Sequence, residues 1–316
     1  MTSTQSNGCP DVVVVGAGIS GLAAARELQA NGLKTLIIER DTTVGGRMAA
    51  LDFEGNHIDH GAQFFTVRSD EFAAIIQQAT KAGAVTEWTK GFEDPPDGFS
   101  RWRGTRSMTD LCRWLATGLD IQFGNPVNDL TEIPASAYVL TPPVPESMAI
   151  LTFSKLLPPP PLAIDLARIA YKPTITLILL LDQPPKAIPD HGGLQFLDDP
   201  ELAFVTNNQA KGLSEAPVLT IHLSNDLSTQ LWTASDDEII DRVTTRIAPL
   251  LEHAAVEGNH IHRWRYAGPV EVWPEPTVVW GSNPVVALAG EAFAGPKVEG
   301  AYLSGVAAAK ELSRTL

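Results

Sequence analysis

Residues 11–47, DVVVVGAGISGLAAARELQANGLKTLIIERDTTVGGR, decide the fold of the chain. The stretch opens with four consecutive valines, and such a β-branched run is typical of a strand buried on both faces. A glycine-rich turn, GAGISG, leads into a helix-forming run, and Asn31-Gly32 predicts the end of that helix. A second apolar strand follows and stops at Glu39. The stretch therefore predicts a strand–turn–helix–strand unit.

The turn has the spacing Gly16-x-Gly18-x-x-Gly21. Gly16 permits the sharp turn, Gly18 lets backbone N–H groups approach a pyrophosphate, and Gly21 lets the helix pack against the strand. The helix N-terminus faces the phosphate charge. Glu39 lies 18 positions after Gly21, close to the spacing of a ribose-binding carboxylate. The residues of this predicted dinucleotide site are Gly16, Gly18, Ile19, Ser20, Gly21 and Glu39.

Length and charge exclude several classes of protein. A chain of 316 residues predicts two domains. The net charge of −14 and the lack of a basic run argue against nucleic acid or an anionic membrane as partner. No apolar stretch reaches 18 residues, and residues 1–8 are polar without signal-peptide character, so we expect a soluble cytoplasmic protein.

The two cysteines, Cys9 and Cys112, form no CxxC pair, which excludes flavin–disulfide reductase chemistry and favours buried structural thiols. No second G-x-G occurs, so the sequence predicts no separate nicotinamide-binding Rossmann domain.

The residues after Glu39 resemble the E-x(5)-G-G-R signature of FAD-binding flavoprotein oxidases and desaturases. The resemblance implies that the glycine pair brings backbone close to the second phosphate and that the arginine forks onto phosphate oxygens. A glycine turn with a solvated arginine is the structural alternative. The predicted cofactor contacts of this segment are Arg40, Gly45, Gly46, Arg47 and Met48.

The segment from Asp59 to Thr66 reads D-x-G-A-Q-F-F-T and resembles the renalase family and its bacterial and plant NAD(P)/FAD-dependent relatives. The resemblance implies that this segment passes beside the isoalloxazine ring. Gly61 would allow close approach, and the amide of Gln63 can both donate and accept a hydrogen bond. A turn with buried aromatic residues is the alternative. The predicted contacts are His60, Gly61, Ala62, Gln63 and Phe64, with Gln63 also a catalytic candidate.

Residues 260–267, HIHRWRYA, resemble a second marker of the same family. Strand alternation predicts His260, His262, Trp264 and Tyr266 on one face, with the two arginines on the other. The two-residue alternation of a strand does not decide which of these faces meets the flavin. A histidine beside the ring can orient substrate or steer a proton. The catalytic candidates are thus His262, Gln63, Trp264 and Tyr266. No matching ligand cluster accompanies the two histidines, so no metal is expected.

A third marker lies near the carboxyl end, where a buried strand ends in Gly290-Glu291 and a helix of small residues follows. The resemblance implies that this helix points its positive end at the flavin pyrimidine edge and that the acid binds ribityl hydroxyls. The predicted contacts are Gly290, Glu291, Val298, Glu299, Gly300, Ala301 and Ser304.

Four residues in this region depart from the bacterial pattern G-D-W…G-R-V-E-G-A: Glu291, Ala292, Pro296 and Lys297. We expect FAD binding to survive and the wall facing the substrate to differ. Val127 is either a backbone contact of the adenine edge or a buried strand residue.

The remaining sequence predicts mixed structure. The predicted elements are a hairpin over 51–59, a helix over 70–82, strands around the Pro-Pro loop of residues 93–98, a helix over 111–119, a strand over 121–128, a stiff connector at Pro158–Pro161, antiparallel strands between 174 and 223, and a helix over 236–251. The predicted fold class is α/β, with a Rossmann-like FAD-binding domain of glutathione-reductase type and an inserted α+β substrate domain on a largely antiparallel sheet. Residues 1–68, 103–145 and 267–316 are assigned to the FAD-binding domain, and 69–102 and 146–266 to the substrate domain.

The resemblance implies an FAD-dependent oxidase that takes hydride from isomeric dihydro-NAD(P) onto flavin N5 and reduces O2, giving NAD(P)+ and H2O2. FAD is expected to be non-covalent, because the carboxyl-terminal part lacks the cysteine to which monoamine oxidases tether their flavin. The expected partners are a pyridine nucleotide and O2, with no nucleic acid or membrane, in a monomer or weak dimer. A flavin amine oxidase acting on a small amine and a non-catalytic flavin-binding redox module are the alternatives.

Overall fold

The computed structural model describes residues 9–93 and 95–316. Residues 1–8, which are polar and for which the sequence predicts no signal peptide, and Asp94 of the predicted Pro-Pro loop lie outside the described residues. The described chain forms two compact units. Unit 1 consists of the described residues up to Gly46, Leu115–Ala170 and Glu271–Leu316. Unit 2 consists of Arg47–Trp114 and Tyr171–Val270.

This division differs from the predicted domain boundaries. Residues 47–68, 103–114 and 267–270 belong to unit 2, whereas residues 146–170 belong to unit 1. The units are defined by contacts within the chain, whereas the predicted domains are defined by expected cofactor contacts. The assignment of an FAD-binding and a substrate domain therefore stays a prediction.

The strands of the described residues are short except for two long ones in unit 2. In chain order they are β1 (Val12–Val15), β2 (Thr35–Ile38), β3 (Ala50–Phe53), β4 (Asn56–Asp59), β5 (Val85–Thr89), β6 (Arg101–Gly104), β7 (Ile121–Gln122), β8 (Ala137–Leu140), β9 (Tyr171–Leu181), β10 (Gly193–Gln195), β11 (Leu202–Asn207), β12 (Val218–Leu223), β13 (Val256–Pro269), β14 (Val278–Trp280) and β15 (Val285–Leu288).

The α-helices of the described residues are, in chain order, α1 (Ile19–Ala30), α2 (Asp70–Lys81), α3 (Thr109–Ala116), α4 (Val144–Phe153), α5 (Pro160–Leu166), α6 (Asn225–Gln230), α7 (Asp236–Leu251) and α8 (Lys297–Thr315). Within the described ranges, every helix is too short or too polar to serve as a transmembrane span.

Unit 1 is built on a sheet with the strand order β14-β15-β8-β1-β2-β7. All pairs are parallel except β14 with β15. The four valines of β1 lie in the middle of the sheet and are buried, as expected for a parallel sheet with both faces packed. Helices α1 and α8 are closely packed. A Cβ at Gly305 of α8 would lie only 2.1 Å from the carbonyl oxygen of Ser20 in α1.

Two details of unit 1 differ from the predicted elements. The strand predicted over 121–128 is limited to the two residues of β7. The prolines predicted as a stiff connector instead begin a helix, since Pro159 is the N-cap and Pro160 the first residue of α5. Proline suits this position, because its fixed φ is helical and its missing N–H would be unpaired there in any case.

Unit 2 is built on an antiparallel sheet with the order β10-β11-β12-β9-β13, as the strand succession predicts. One face is apolar and packs on α6 and α7 through a buried cluster that includes Leu177, Ile221 and Val243. The N-terminus of α7 lies where it is predicted, because Ser235 and Glu238 form a capping box. The opposite face presents the polar residues of β9, β12 and β13, and it carries the candidate site of this unit.

Two hairpins and α2 complete unit 2. β3 and β4 pair around a Glu54-Gly55 turn, and β5 pairs with β6. The side chain of Ser69 caps α2. The predicted helix over 111–119 corresponds to α3, which begins and ends earlier in the chain.

Candidate functional site

The glycine-rich turn of unit 1 has the geometry that the sequence predicts. Gly16 has φ +98°, a left-handed conformation that favours glycine, and a Cβ there would meet the hydroxyl oxygen of Thr141 at 2.6 Å. That hydroxyl donates to the carbonyl oxygen of Val15 at 2.8 Å and so ties the end of β8 to the turn. At Gly21 a Cβ would lie 2.0 Å from the carbonyl oxygen of Gly16. The turn and the first turn of α1 can therefore pack only without side chains at these positions.

Gly18 differs from its two neighbours in the motif. A Cβ at this position would meet nothing within 4 Å, so the folded chain itself does not require glycine there. Gly18 is the N-cap residue of helix α1, and the helix has no side-chain cap. Ser20, in the first turn, has a buried hydroxyl without a hydrogen-bond partner among the described residues. Open space, uncapped N–H groups and a buried hydroxyl match the requirements of a bound phosphate.

Glu39, predicted to bind a ribose, lies beside this turn and is buried. Its Oε2 accepts a hydrogen bond from the backbone N–H of Ala17 at 2.6 Å, and Oε1 accepts from that of Asp41 at 2.9 Å. A carboxylate offers about four lone-pair sites, so two remain for ribose hydroxyls. The carboxylate of Glu39 is thus held in place by the backbone N–H groups of Ala17 and Asp41.

The second glycine pair contacts the first motif directly. Gly45 donates its N–H to the carbonyl oxygen of Ala17 at 3.0 Å, and a Cβ at Gly46 would lie 3.7 Å from the Cα of Gly18. Two predicted phosphate-binding segments therefore converge in unit 1. Arg40, predicted as a cofactor contact, is exposed and lies 3.4 Å from the carboxylate of Glu146.

The carboxyl-terminal marker also lies in unit 1. Gly290 donates its N–H to the hydroxyl of Ser304 at 2.9 Å, which fixes the end of β15 against α8. Glu291 is buried, and α8 begins after Pro296 without a side-chain cap. The other predicted contacts of this helix lie in its first two turns; Val298, Gly300 and Ala301 are buried and Glu299 is half-buried.

Two positions of unit 1 need separate mention. Ala292, where the bacterial pattern has tryptophan, is buried, and its carbonyl oxygen accepts from the N–H of Trp273 at 2.7 Å. Val127 lies in the loop after β7 and is partly exposed. The interpretation of Val127 as a buried strand residue is therefore wrong, because β7 ends at Gln122; its contact with adenine stays a prediction.

In unit 2 the two motifs of the renalase-like resemblance form one ring cluster. The ring centroids of His262 and Trp264 lie 4.1 Å apart, as the alternation in β13 predicts. The ring of His60 lies 4.9 Å from each of them. We call these three residues the ring cluster.

The histidines of the ring cluster are neutral near pH 7. Burial, followed by the charges of His262, His222 and His260, lowers the pKa of His60 to about 3. Burial, followed by the charge of His260, also lowers the pKa of His262. The Nδ1 atom of His60 is buried and has no hydrogen-bond partner among the described residues.

The amide of Gln63 is directed into its own loop. Nε2 donates to the carbonyl oxygens of Asp59 at 2.9 Å and Gly61 at 3.0 Å. Oε1 lies 3.3 Å from the ammonium of Lys211. Gln63 is therefore bonded within unit 2 on both sides of its amide, and its catalytic role stays a prediction.

A series of close polar contacts connects this loop with the ring cluster. Trp264 donates its indole N–H to the hydroxyl of Thr176 at 3.2 Å, and that oxygen lies 2.9 Å from Nδ1 of His222. Nε2 of His222 lies 3.2 Å from Nε2 of Gln63. Burial lowers the pKa of His222 to about 4, although a hydrogen bond with the backbone of Gly61 partly offsets this effect by raising the pKa.

The remaining predicted residues of the 60–64 segment have packing contacts within unit 2, and their contact with a cofactor stays a prediction. A Cβ at Gly61 would lie 2.2 Å from the carbonyl oxygen of Arg47, which also accepts the N–H of Ala62 at 2.9 Å. Phe64 packs with Trp88, Phe92 and Phe204 in an aromatic cluster.

Two residues of the E-x(5)-G-G-R segment also lie in unit 2. Arg47 donates to the carbonyl oxygen of Tyr266 at 3.0 Å. Met48 is buried beside Cys112.

The ring of Tyr266 does not lie with those of His262 and Trp264, where the strand alternation predicts it. The register of β13 against β9 shifts between Trp264 and Gly268, which ends the simple alternation. Its ring packs instead against Tyr171, with centroids 5.4 Å apart. In the part of the chain that the structure describes, Tyr266 thus stands apart from the ring cluster.

Comparison with known proteins identifies the family. The family model described as "Flavin containing amine oxidoreductase" matches residues 113–313, more than half of the chain. The chain belongs to the flavin containing amine oxidoreductases. A second model, described as "NAD(P)-binding Rossmann-like domain", matches residues 14–79. The α/β fold with a Rossmann-like domain is thereby confirmed, whereas the glutathione-reductase-type arrangement stays a prediction.

Individual relatives match over limited stretches. The putative flavin-containing monoamine oxidase AofH of Mycobacterium tuberculosis is 40% identical over 97 residues, which are 30% of this chain and 20% of the relative. The probable polyamine oxidase 4 of Arabidopsis thaliana is 42% identical over 76 residues, 23% of this chain and 15% of the relative. The chain thus matches one fifth or less of the length of these curated relatives.

A solved structure supports the fold over almost the whole chain. The putative protoporphyrinogen oxidase from Exiguobacterium sp. 255-15 has a TM-score of 0.68 at 14% identity, covering 96% of this chain and 97% of that one. At this identity the likeness concerns the fold alone.

Membership of the flavin containing amine oxidoreductases implies FAD as cofactor and a flavin-dependent oxidoreductase as the class of enzyme. The residues of unit 1 fit that group. The open space at Gly18, the unpartnered hydroxyl of Ser20 and the fixed carboxylate of Glu39 offer what a dinucleotide needs.

Four residues of the unit 2 network were not among the predicted site residues: Asp59, Thr176, Lys211 and His222. Signals for two of them exist, since Thr176 and His222 are polar residues within largely apolar strands. Lys211 lies in a polar turn after β11, where a lysine is ordinarily solvated, so the sequence offers no signal for its burial.

Proposed function

We propose that this protein is a renalase-like FAD-dependent oxidase of isomeric dihydro-NAD(P). The observation that carries the proposal is the ring cluster of unit 2. Its members come from residues 59–66 and 260–267, which carry the renalase-like resemblance, and they meet at ring distances of 4.1 and 4.9 Å. Two segments that are distant in sequence thus supply one local surface.

FAD would be held by the residues of unit 1. The glycine turn and the uncapped start of α1 would bind the pyrophosphate, with the hydroxyl of Ser20 as a further donor. Glu39 would accept from ribose hydroxyls. When bound, FAD supplies hydride acceptance at N5 and electron transfer to O2, so that isomeric dihydro-NAD(P), O2 and a proton give NAD(P)+ and H2O2.

The ring cluster would orient the hydride donor. A dihydronicotinamide gains a positive charge when it loses hydride, and the surrounding groups must not oppose that charge. His60, His222 and His262 have lowered pKa values and are uncharged near pH 7, and the net charge of the chain is −14. Neutral rings can also stack on a planar nicotinamide.

A flavin amine oxidase is the second candidate, since the matched relatives include a putative monoamine oxidase and a probable polyamine oxidase. A non-catalytic flavin-binding redox module is the third, and the small buried Ala292 in place of tryptophan is the feature that favours it. A cytoplasmic location and a monomeric or weakly dimeric state stay predictions from the sequence.

Anaerobic stopped-flow mixing separates the three candidates. The purified protein, reconstituted with FAD, is mixed with isomeric dihydro-NAD(P), with ordinary NADH and NADPH, and with primary amines and polyamines. We expect the visible flavin band to bleach rapidly with the isomeric nucleotides and not with amines, and one H2O2 to form for each NAD(P)+ when O2 is admitted. Bleaching by amines alone would overturn the proposal in favour of the second candidate. A bound flavin that nothing reduces would favour the third.

A matched pair of variants tests the phosphate cradle separately. Gly18→Ala adds a methyl group into open space, so the unfolding midpoint should stay near that of the wild type while FAD affinity falls. Gly21→Ala places a Cβ against the carbonyl oxygen of Gly16 and should destabilise the chain with or without FAD. Full FAD affinity in Gly18→Ala would contradict the assignment.

A further inference from the structure

Lys211 is a fully buried lysine that the proposed chemistry does not use. Its side chain is 0% exposed. The ammonium Nζ donates to Oδ2 of Asp59 at 2.9 Å, to the carbonyl oxygen of Gln63 at 2.7 Å and to Oε1 of Gln63 at 3.3 Å. An ammonium has three N–H donors, so all three are engaged. The ring of Trp88, at 4.6 Å, covers a further side of the charge.

Asp59 is held equally firmly. Its side chain is 1% exposed, and Oδ1 accepts the backbone N–H of Met108 at 2.7 Å. Its carbonyl oxygen accepts from the hydroxyl of Thr220 at 3.0 Å and from the amide of Gln63. The five-residue turn 59–63 is therefore bonded at both ends to the same ammonium and internally by its own glutamine.

A charge pair buried in this way is a poor means of gaining stability. The cost of removing both charges from water offsets much or all of their attraction, and apolar replacements are often neutral or stabilising. What the pair does provide is geometry, since three directed bonds from one ammonium fix the distance between Asp59 and Gln63. Between them lies His60, a member of the ring cluster.

We propose that Lys211 is a positioning residue, which through Asp59 and Gln63 fixes the 59–63 turn and thereby the place of His60 in the ring cluster. The expected effect on flavin reduction rests on the proposed function. The expected effect on the 59–63 turn rests on the contacts alone. Because all its protons are engaged, Lys211 acts through the turn and does not itself exchange a proton with substrate.

The test removes both charges together. Lys211→Met alone leaves the buried Asp59 carboxylate without its counter-charge and should unfold or destabilise the protein. The double variant Asp59→Asn/Lys211→Met removes both charges of the pair, and the side-chain oxygen of the new amide can still accept from the N–H of Met108. The matched control is Glu201→Gln/Arg242→Met, which neutralises a more exposed ion pair of the same unit together with the 3.1 Å contact of Glu201 with Arg246.

We expect the double variant to keep the FAD content and thermal midpoint of the control. Its limiting rate of flavin reduction, measured with whichever reductant serves the wild type, should fall about tenfold or more with little change in the half-saturating concentration, because positioning affects the reacting geometry more than binding. Amide hydrogen exchange of the peptide covering residues 59–66 should also be about tenfold faster than in the control.

The hydrogen-exchange and flavin-reduction results test different parts of the inference. Unchanged exchange of the 59–66 peptide in a folded double variant would overturn the positioning role, whatever the activity. Faster exchange with an unchanged reduction rate would limit Lys211 to a structural role and overturn the inference as well. If no reductant bleaches the wild-type flavin, the proposed function fails, and the exchange measurement still decides whether Lys211 fixes the turn.

Discussion

Acidification should destabilise this protein through His60 and His222. The pKa of a free histidine is about 6.5, whereas burial lowers that of His60 to about 3 and that of His222 to about 4. As the pH falls, the unfolded chain binds protons at these sites before the folded chain does. Their contribution to stability is therefore complete above pH 6.5 and is lost progressively as the pH falls towards the folded pKa values.

The magnitude follows from linkage. Between about pH 7.5 and about pH 5, each of the two histidines should remove about 2 kcal/mol from the free energy of unfolding. The pair together should remove about 4 kcal/mol, a large fraction of the stability of an ordinary domain. The neighbouring charges of His260, His262 and Lys211 act in the same direction, since each opposes a proton on one of the two rings.

Urea unfolding followed by tryptophan fluorescence, at both pH values and with FAD at a fixed excess, measures this loss. Carboxylates also titrate over the interval, so the comparison is made between variants. His60→Gln and His222→Gln should each lose about 2 kcal/mol less than the wild type on acidification. The exposed His253, changed to Gln, is the control and should lose as much as the wild type. If both buried-site variants also lose as much as the wild type, then protonation of these rings costs nothing and the argument from burial is refuted.

Three further variants test single contacts. Gly305→Ala places a Cβ against the carbonyl oxygen of Ser20, so α1 and α8 must separate and the unfolding midpoint should fall, as thermal denaturation will report. Ser20→Ala removes a hydroxyl without a partner among the described residues, so the FAD-free protein should be as stable as the wild type or about 1 kcal/mol more stable, while FAD affinity measured by titration should fall. His262→Ala should slow flavin reduction in stopped-flow mixing with FAD content intact, and equal rates would remove His262 from the candidate site.

The sequence predicts unit 1 well because its signals are local. The turn 16–21 requires glycine at two positions for reasons of backbone geometry, and Glu39 follows at a distance set by one helix and one strand. Each of these constraints acts within about thirty residues and leaves a pattern in the sequence.

The site of unit 2 is less predictable because its contacts are long-range. The alternation of β13 predicts that His262 and Trp264 share a face, but nothing local indicates that His60 joins them. The bulge after Trp264 redirects Tyr266, and a register shift of this kind has no clear sequence signal here. Lys211 is separated from Asp59 by about 150 residues, so only the folded sheet brings the pair together.

The two unpartnered atoms at the candidate sites connect these observations. The hydroxyl of Ser20 and Nδ1 of His60 are buried without a hydrogen bond among the described residues, and both residues were assigned to the site from motifs alone. A buried polar group left unpaired costs about 1–3 kcal/mol, which a folded chain ordinarily avoids. Motif and missing bond are independent observations that coincide at these two residues, while five other residues (His57, Arg103, Ser107, Thr206 and Asn208) also have such an atom outside the predicted site. A ligand that bonds to these atoms recovers their desolvation cost, and for this reason ligand binding and chain stability should rise together in this protein.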